Sequence, residues 1–358
     1  MSRSRFIHTA AIACVTLAAL TACSDRASND AASADASSGS TTTGSQPDVN
    51  GDGKVVIGVI SPGDLNDNGY YEAFVSSAQE FVDDNGWTLI KVGSVNPANA
   101  LEQARNLCRQ NVDLVAIAAQ ELKDALPAAE EPVCSNTNWY TPSGAGIKPT
   151  SRVTVSKDYV NEAMLAAGYA NGIVMRDNKE TKAGYITGPE LDFSVMAAKA
   201  FGVGIRQLVP EATLTTTYTG DFNDSAKARE AAQAQISQGV QALYPYLGGA
   251  TDSVAQLGTA NGVFLSTPGT DRCAESDINW GVSVIFDPGA YFAAALAEFK
   301  DANLQMGTVR EWHLGKDTVP TVKLCKGTDQ QNAELTSFIT KVGTGEIVPD
   351  DVIAASGA

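Results

Sequence analysis

Three polar segments, each directly after an apolar run, carry the residue types best suited to binding a small polar molecule. Residues 61–71 read SPGDLNDNGYY and combine carboxylate and amide groups for hydroxyls with an aromatic ring for a flat ligand. Residues 244–251 include Gly248, which allows close backbone approach, ahead of a helix start that favours an acceptor or an anion. Residues 267–272 follow a third run. For the first segment, an ordinary turn with helix capping by an asparagine or aspartate is the alternative.

The chain offers little for catalysis or for a metal. Its two histidines are His8 and His313, and His8 lies in the N-terminal signal segment considered below. A multi-histidine metal site is therefore excluded, and a Ser-His-Asp or Cys-His site is disfavoured. Residues 48–53 mimic the start of a calcium loop, but Val59 stands at the twelfth position, where such a loop needs a glutamate. We expect no catalytic step, no cofactor and no metal.

Charge and size limit the classes of partner. The 358 residues include 25 Lys and Arg against 41 Asp and Glu, a formal net charge of -16 at pH 7. Nucleic acid is not expected as a partner, because phosphate binding needs a basic face and none is visible. About 300 residues remain beyond the N-terminal segments, a length that suggests two domains.

The N-terminus predicts export and lipid anchoring. Arg3 and Arg5 precede an apolar run that is too short for a permanent membrane helix of roughly 20 residues, so residues 1–22 are predicted to be a signal peptide. The sequence LTAC ends at Cys23 and resembles the lipobox of bacterial lipoproteins, in which this cysteine is acylated. Residues 23–53 are predicted to be the anchor and a flexible linker. The alternative is a secreted protein with an incidental cysteine.

Beyond residue 54, short β-branched runs alternate with helical patterns, and the alternation restarts after a long helix near 158–176. This order predicts an α/β fold of two doubly wound lobes with parallel sheets and a ligand cleft outside the carboxyl ends of the strands. We assign the lobes as follows: 54–157 to lobe 1, 158–281 to lobe 2, about 282–305 returning to lobe 1, and about 306–350 returning to lobe 2.

Four cysteines remain besides Cys23 and the signal segment: Cys108, Cys134, Cys273 and Cys325. Their spacing matches no C-x-x-C metal pattern. Outside the cytoplasm an even number of thiols suggests disulfides. Three pairings are possible, and we favour Cys108 with Cys134 and Cys273 with Cys325.

The order of several motifs resembles the basic membrane protein family of ABC-transporter solute-binding lipoproteins, which includes bacterial purine-nucleoside receptors. The matching stretches are IGVISPGDLNDNGYYEAF, DLVAIAAQ, AMLAAGYANGIV, KAGYITGPELDFSVMAAKAFGVGI, YTGDFNDSAKAREAAQAQISQGVQALYPYLGG and STPGTD. The resemblance spans roughly residues 54 to 350. It implies the type I periplasmic-binding fold, a base held between aromatic rings, and acidic side chains on the ribose hydroxyls.

Carried over by position, the resemblance implies that Tyr70 is the stacking aromatic of the first loop and that Asp67 is the loop's aspartate. It places Tyr244 or Tyr246 in the aromatic region of the second lobe. The ribose-binding acid would be Asp271. One departure is that Ser61 replaces the aspartate usual at the end of the first strand, which opens a free purine, another flat heterocycle or a sugar as the ligand.

From these residues we expect a receptor anchored by lipid to the outer face of the cell membrane. It would bind a small polar solute, most simply a purine nucleoside or related heterocycle, and present it to an ABC transporter permease. The alternatives are a sugar-binding receptor of the same fold and a sensory or surface-interaction lipoprotein.

Overall fold

The computed structural model describes residues 44–67, 69–144 and 146–357. The predicted signal peptide, Cys23 and most of the predicted linker lie outside the described residues. Among the residues that are described, no helix combines the length and the apolar character needed to cross a membrane.

Lobe 1 is built on a six-stranded parallel sheet. Its strands are β1 Val56–Ile60, β2 Thr88–Val92, β3 Leu114–Ile117, β4 Asn138–Pro142, β5 Val153–Asp158 and β11 Val309–Trp312. They lie in the order β11-β5-β4-β3-β1-β2, and every neighbouring pair is parallel. The central strands β1 and β3 are apolar along their length because helices or 3-10 segments cover both faces.

Lobe 2 contains a second six-stranded sheet. Its strands are β6 Lys182–Thr187, β7 Thr213–Tyr218, β8 Ala242–Tyr246, β9 Phe264–Gly269, β10 Trp280–Ile285 and β12 Thr321–Leu324. The order is β12-β10-β9-β8-β6-β7, and only the pair of β10 with β12 is antiparallel among the described strands. The two-lobed parallel architecture predicted from the sequence is confirmed.

Helices cover the sheets. Lobe 1 has α1 Tyr70–Asp84, α2 Ala100–Cys108 and α7 Pro288–Lys300, with 3-10 segments Pro97–Asn99, Gln120–Glu130 and Pro132–Cys134. Lobe 2 has α3 Val160–Asn178, α4 Asp192–Arg206, α5 Ser225–Ser237, α6 Thr251–Ala260, α8 Asp329–Gly343 and α9 Pro349–Ala355. Apolar residues three and four positions apart give α1 one buried face. That face packs on α7, where the rings of Phe74 and Phe292 stack at 4.6 Å.

Glycines set the close packing of α3 on α4. A Cβ at Gly168 would lie 2.0 Å from the carbonyl oxygen of Phe201, and one at Gly204 would lie 2.1 Å from that of Leu165. The two backbones can approach this closely only because neither position carries a side chain.

The lobe boundaries differ from the sequence assignment at two points. Strand β10 pairs with β9 and β12, so residues through 285 belong to lobe 2 and the chain crosses to lobe 1 only before α7. Strand β11 pairs with β5, so residues 309–312 still belong to lobe 1. A run of β-branched residues predicts a strand but not the sheet that it joins, because the pairing partner is distant in sequence.

The end of the predicted linker also differs, because residues 44–53 are held against lobe 1. The side-chain amide of Gln46 donates to the carbonyl of Leu304 at 3.0 Å. The backbone N–H of Asn50 donates to Asp113 at 3.1 Å, and the other oxygen of Asp113 accepts from Val56 at 2.9 Å. Hydrogen bonds across 63 and 57 residues therefore tie this segment to the first strand.

Two disulfides tie loops to neighbouring elements. Cys108, the last residue of α2, is bonded to Cys134, with the Cα atoms 5.1 Å apart. Cys273 is bonded to Cys325 with a Cα separation of 4.9 Å. These are the pairs favoured in the sequence analysis.

Candidate functional site

The two lobes touch where the carboxyl ends of their parallel strands face each other. Tyr70, the first residue of α1, packs against the apolar cores of both lobes. A Cβ at Gly249, in the loop after β8, would lie 3.8 Å from the Cβ of Asp67 in the loop after β1. In open α/β sheets ligands bind outside these strand ends, so this contact region is the candidate site.

Asp67 divides its two carboxylate oxygens between two roles. Oδ1 accepts hydrogen bonds from the backbone N–H groups of Gly69 and Glu72, both at 3.0 Å, and so caps the start of α1. Oδ2 is buried and has no hydrogen-bond partner among the described residues. Burial raises the pKa of Asp67, while the bonds from Glu72 and Gly69 oppose the rise. The capping alternative is therefore correct for one oxygen, and the other remains available.

Ser61 directly follows β1, and its side chain bonds within its own loop. The residue is fully buried. Its hydroxyl group lies 3.3 Å from both the carbonyl oxygen and the backbone nitrogen of Gly63, with geometry that suits donation to the first and acceptance from the second. The hydroxyl therefore stabilises the turn after β1.

Tyr70 stands in a buried and negatively charged environment. Burial raises the pKa of its phenol, and the carboxylates of Asp158 and Glu121 and the neighbouring Tyr140 and Tyr71 raise it further. Its ring meets that of Tyr71 edge to face, with the centroids 5.6 Å apart. The sequence analysis placed Tyr70 at the site but did not identify the two carboxylates.

Tyr244 and Tyr246 lie on β8 at different depths. Tyr244 is fully buried in the core of lobe 2, where its ring lies 5.4 Å from Tyr185 and 5.3 Å from Phe201. Tyr246 ends the strand and is only partly buried. The structure thus assigns Tyr244 to the core and leaves Tyr246 as the tyrosine of this strand at the site.

Charged groups of lobe 1 act on Tyr246 of lobe 2. Its pKa is raised by burial and then by Asp158 and Glu121, the same two carboxylates that act on Tyr70. The ring of Phe193, at the start of α4, lies 6.5 Å from Tyr246. Tyr70 and Tyr246 both pack against the core of lobe 2, and the same two acids act on both phenol groups.

Gly248 has a local role in the turn after β8. A Cβ there would lie 2.8 Å from Oδ1 of Asn223, and the backbone N–H of Gly248 donates to the carbonyl of Phe222 at 3.0 Å. The next residue, Gly249, donates its N–H to the same Asn223 oxygen at 2.8 Å. The close backbone approach expected here is present, and its partner is the loop before α5.

Asp271 is engaged within lobe 2. Its carboxylate accepts hydrogen bonds from Lys323 Nζ at 2.8 Å and from the backbone N–H of Cys273 at 3.1 Å. Burial acts to raise its pKa, but Lys323 and the Cys273 N–H outweigh it, and the pKa is lowered. Among the described residues, neither Tyr70 nor Tyr246 is a hydrogen-bond partner of Asp271. The structure therefore does not connect Asp271 with these two tyrosines.

Two acids and one tyrosine near the candidate site were not predicted from the sequence. Asp158 is the last residue of β5, and Glu121 is the second residue of the 3-10 segment after β3. Burial raises the pKa of both carboxyl groups. Tyr291, on α7, is buried, and Asp158 is the first charged group that raises its pKa after burial itself. The signal for Glu121 was available, because it closely follows the apolar run 114–119, whereas Asp158 follows Ser156 and Lys157 on a less apolar strand.

The arrangement suits binding of a flat polar molecule. Tyrosine rings can stack on a heterocycle, and carboxylate oxygens accept hydrogen bonds from hydroxyl or amino groups. Within residues 44–67, 69–144 and 146–357, no group of three or more His, Cys, Asp or Glu is placed to hold a metal ion.

Solved structures of similar fold include solute-binding proteins. One from Conexibacter woesei, an ABC transporter system solute-binding protein, is 20% identical, with a TM-score of 0.65 over 82% of this chain and 98% of that chain. A second, from Aeropyrum pernix, is 17% identical, with a TM-score of 0.65 over 84% of each chain. The arabinose transporter component of a Shewanella species is 16% identical, with a TM-score of 0.56 over 82% and 99%. At these identities the likeness shows the fold.

Sequence comparison assigns the family. No curated protein matches the chain. The family model of PnrA-like ABC transporter substrate-binding proteins, Bmp, matches residues 54–347, which include both lobes. The resemblance noted from the motifs is thereby confirmed, and the chain belongs to the family of PnrA-like ABC transporter substrate-binding proteins.

Proposed function

We propose that this protein is the lipid-anchored receptor of an ABC uptake transporter and that its solute is a purine nucleoside or a related flat heterocycle. The observation that carries the proposal is that Tyr70 of lobe 1 packs against the core of lobe 2, as Tyr246 does. Asp158 and Glu121 act on the pKa of both tyrosines. Each tyrosine offers a ring to the solute, and the carboxylates accept hydrogen bonds from its polar groups. Export and anchoring rest on residues 1–22 and Cys23.

Delivery to a permease follows from the two-lobed build. The chain passes between the lobes after β5, before α7 and between β11 and β12. Such connections allow hinge closure around a solute, and a permease can distinguish the closed form from the open one. No catalytic step is part of this function.

A sugar is the second candidate solute. The Shewanella protein of similar fold is described as bound to arabinofuranose, and acids beside aromatic rings also suit a sugar. Because Asp271 is paired with Lys323, a ribose contact must come from other acids.

A thermal-shift panel of nucleosides, free bases and monosaccharides tests the proposal. A solute at 100 times its dissociation constant adds about 2.7 kcal/mol to folding stability. We expect heterocycles to raise the Tm and Tyr246→Leu to remove the shift. The matched variant Tyr169→Leu changes a tyrosine that stacks on Phe338 in lobe 2, at 4.0 Å, and should keep it. Shifts from monosaccharides alone would overturn the heterocycle assignment.

A further inference from the structure

The charged groups around the candidate site are of one sign. The groups that raise the pKa of Tyr246 after burial are Asp158 and Glu121. Those acting on Tyr70 are the same two carboxylates and neighbouring tyrosines. For Tyr291 they are Asp158, Asp287 and tyrosines. Asp158 ends β5, Glu121 follows β3 and Tyr70 follows β1, so all three residues lie at the carboxyl edge of the lobe 1 sheet.

The site carboxylates have no cationic partner among the described residues. No Lys, Arg or His of that part of the chain lies within ion-pair distance of Asp158 or Glu121, and burial raises the pKa of both. Some acids elsewhere are paired with a cation: Glu131 with Arg105 at 2.6 Å and Glu334 with Arg176 at 2.8 Å. A buried carboxylate without a counter-charge is costly. The site thus concentrates negative charge that the protein itself does not balance.

Two buried polar atoms of lobe 1 have no hydrogen-bond partner among the described residues. The side chain of Tyr291 is only 6% exposed, and its hydroxyl has no hydrogen-bond partner among the described residues. Asp158 and Tyr70 are among the groups that raise the pKa of this hydroxyl. Oδ2 of Asp67 is likewise buried without a partner. The described residues thus leave a buried donor in lobe 1 and, in the loop that meets Gly249, a buried acceptor without a partner.

We propose that the solute is a cationic heterocycle, with its positive charge balanced by Asp158 and Glu121 and its ring against Tyr70 and Tyr246. The inference rests on the receptor function proposed above and specifies the charge of the solute. Aromatic faces attract cations, and the attraction grows when the pair is withdrawn from water. A neutral solute would leave both carboxylates without a counter-charge. A cationic solute would be attracted by them and would offset the free-energy cost of withdrawing them from water.

Calorimetry with two isomeric nucleosides tests the charge. At neutral pH 1-methyladenosine carries a positive ring charge, whereas N6-methyladenosine is neutral, and both have the same ribose and the same number of atoms in the ring system. We expect the full-length protein to bind the cation at least about tenfold more tightly, a difference of about 1.4 kcal/mol. Equal affinity, or tighter binding of the neutral isomer, would overturn the inference and leave the receptor function intact. Binding of neither isomer would contradict both the inference and the nucleoside assignment.

Charge-neutralising variants locate the effect. Asp158→Asn and Glu121→Gln should each reduce the preference for the cation by about tenfold, because each removes one nearby negative charge. The control Asp124→Asn makes the same change of charge at an exposed residue of the same 3-10 segment and should leave the preference unchanged. Equal losses in all three variants would show that net charge, and not the site, sets the preference. Melting temperatures of the variants establish that each is folded.

Discussion

Asp113 should make the stability of lobe 1 depend on pH in a direction opposite to that of most carboxylates. It is fully buried, and burial raises its pKa from 3.8 to about 6, against the opposing hydrogen bonds from Val56 and Asn50. Between these two values the folded protein binds more protons than the unfolded chain. Lowering the pH therefore stabilises the fold through this group, and raising the pH through about 6 removes that contribution.

The size of the effect follows from the shift. A difference between about 6 and 3.8 is about 2 pKa units, and each unit corresponds to 1.36 kcal/mol, so the contribution is about 3 kcal/mol. Asp113→Asn cannot titrate. The free energy of unfolding of the wild type relative to this variant should therefore rise by about 2 kcal/mol as the pH falls from about 7 to about 4, and by the rest below the unfolded pKa.

Urea unfolding followed by tryptophan fluorescence at the two pH values measures this difference. The control is Asp84→Asn, at an exposed residue at the end of α1, and its difference from the wild type should change far less with pH. Asp113→Asn should also lose about 1–3 kcal/mol at both pH values, because an amide leaves one of the two backbone N–H groups without its acceptor. If the free energies of unfolding of the wild type and Asp113→Asn differ by the same amount at both pH values, the pKa of Asp113 is not raised by folding.

Three further predictions concern the anchor, the disulfides and helix packing. Cys23→Ser should release the protein from membranes or block its processing, whereas unchanged membrane association without lipid on the mature N-terminus would contradict the anchor. In protein recovered from cells, Cys108, Cys134, Cys273 and Cys325 should not react with a thiol reagent under denaturing conditions until reduced, and each bridge should add about 2–4 kcal/mol to stability; four reactive thiols would exclude both bridges. Gly168→Ala should destabilise lobe 2 by about 1–3 kcal/mol despite the better helix propensity of alanine, because its Cβ would lie 2.0 Å from a carbonyl oxygen of α4; a higher melting temperature would argue against the close packing of α3 on α4.

The sequence predicted those features that depend on local pattern. The apolar run 55–60 and the helical spacing over 70–84 correspond to β1 and α1, and the rule that ligands meet strand ends located the first loop. It also brought Tyr70 and Asp67 to the region where the lobes touch.

What the sequence did not predict depends on contacts between distant residues. Tyr244 and Tyr246 lie two residues apart on one strand, and only the packing of lobe 2 separates a core ring from a ring at the site. The partner of Asp271 is Lys323, 52 residues away on a strand whose sheet no local pattern specifies. Asp158 was overlooked because its importance comes from tyrosines on both lobes.

Mass spectrometry of small molecules that copurify with the protein can show whether Tyr70 and Tyr246 bind a heterocyclic solute. We expect a nitrogen heterocycle in near-stoichiometric amount with the wild type. The control variant Tyr169→Leu should retain it, and the variant in which Tyr70 and Tyr246 are both replaced by leucine should lose it. A sugar in place of the heterocycle, or a heterocycle equally abundant in the double variant, would contradict the claim that tyrosines from the two lobes bind the solute.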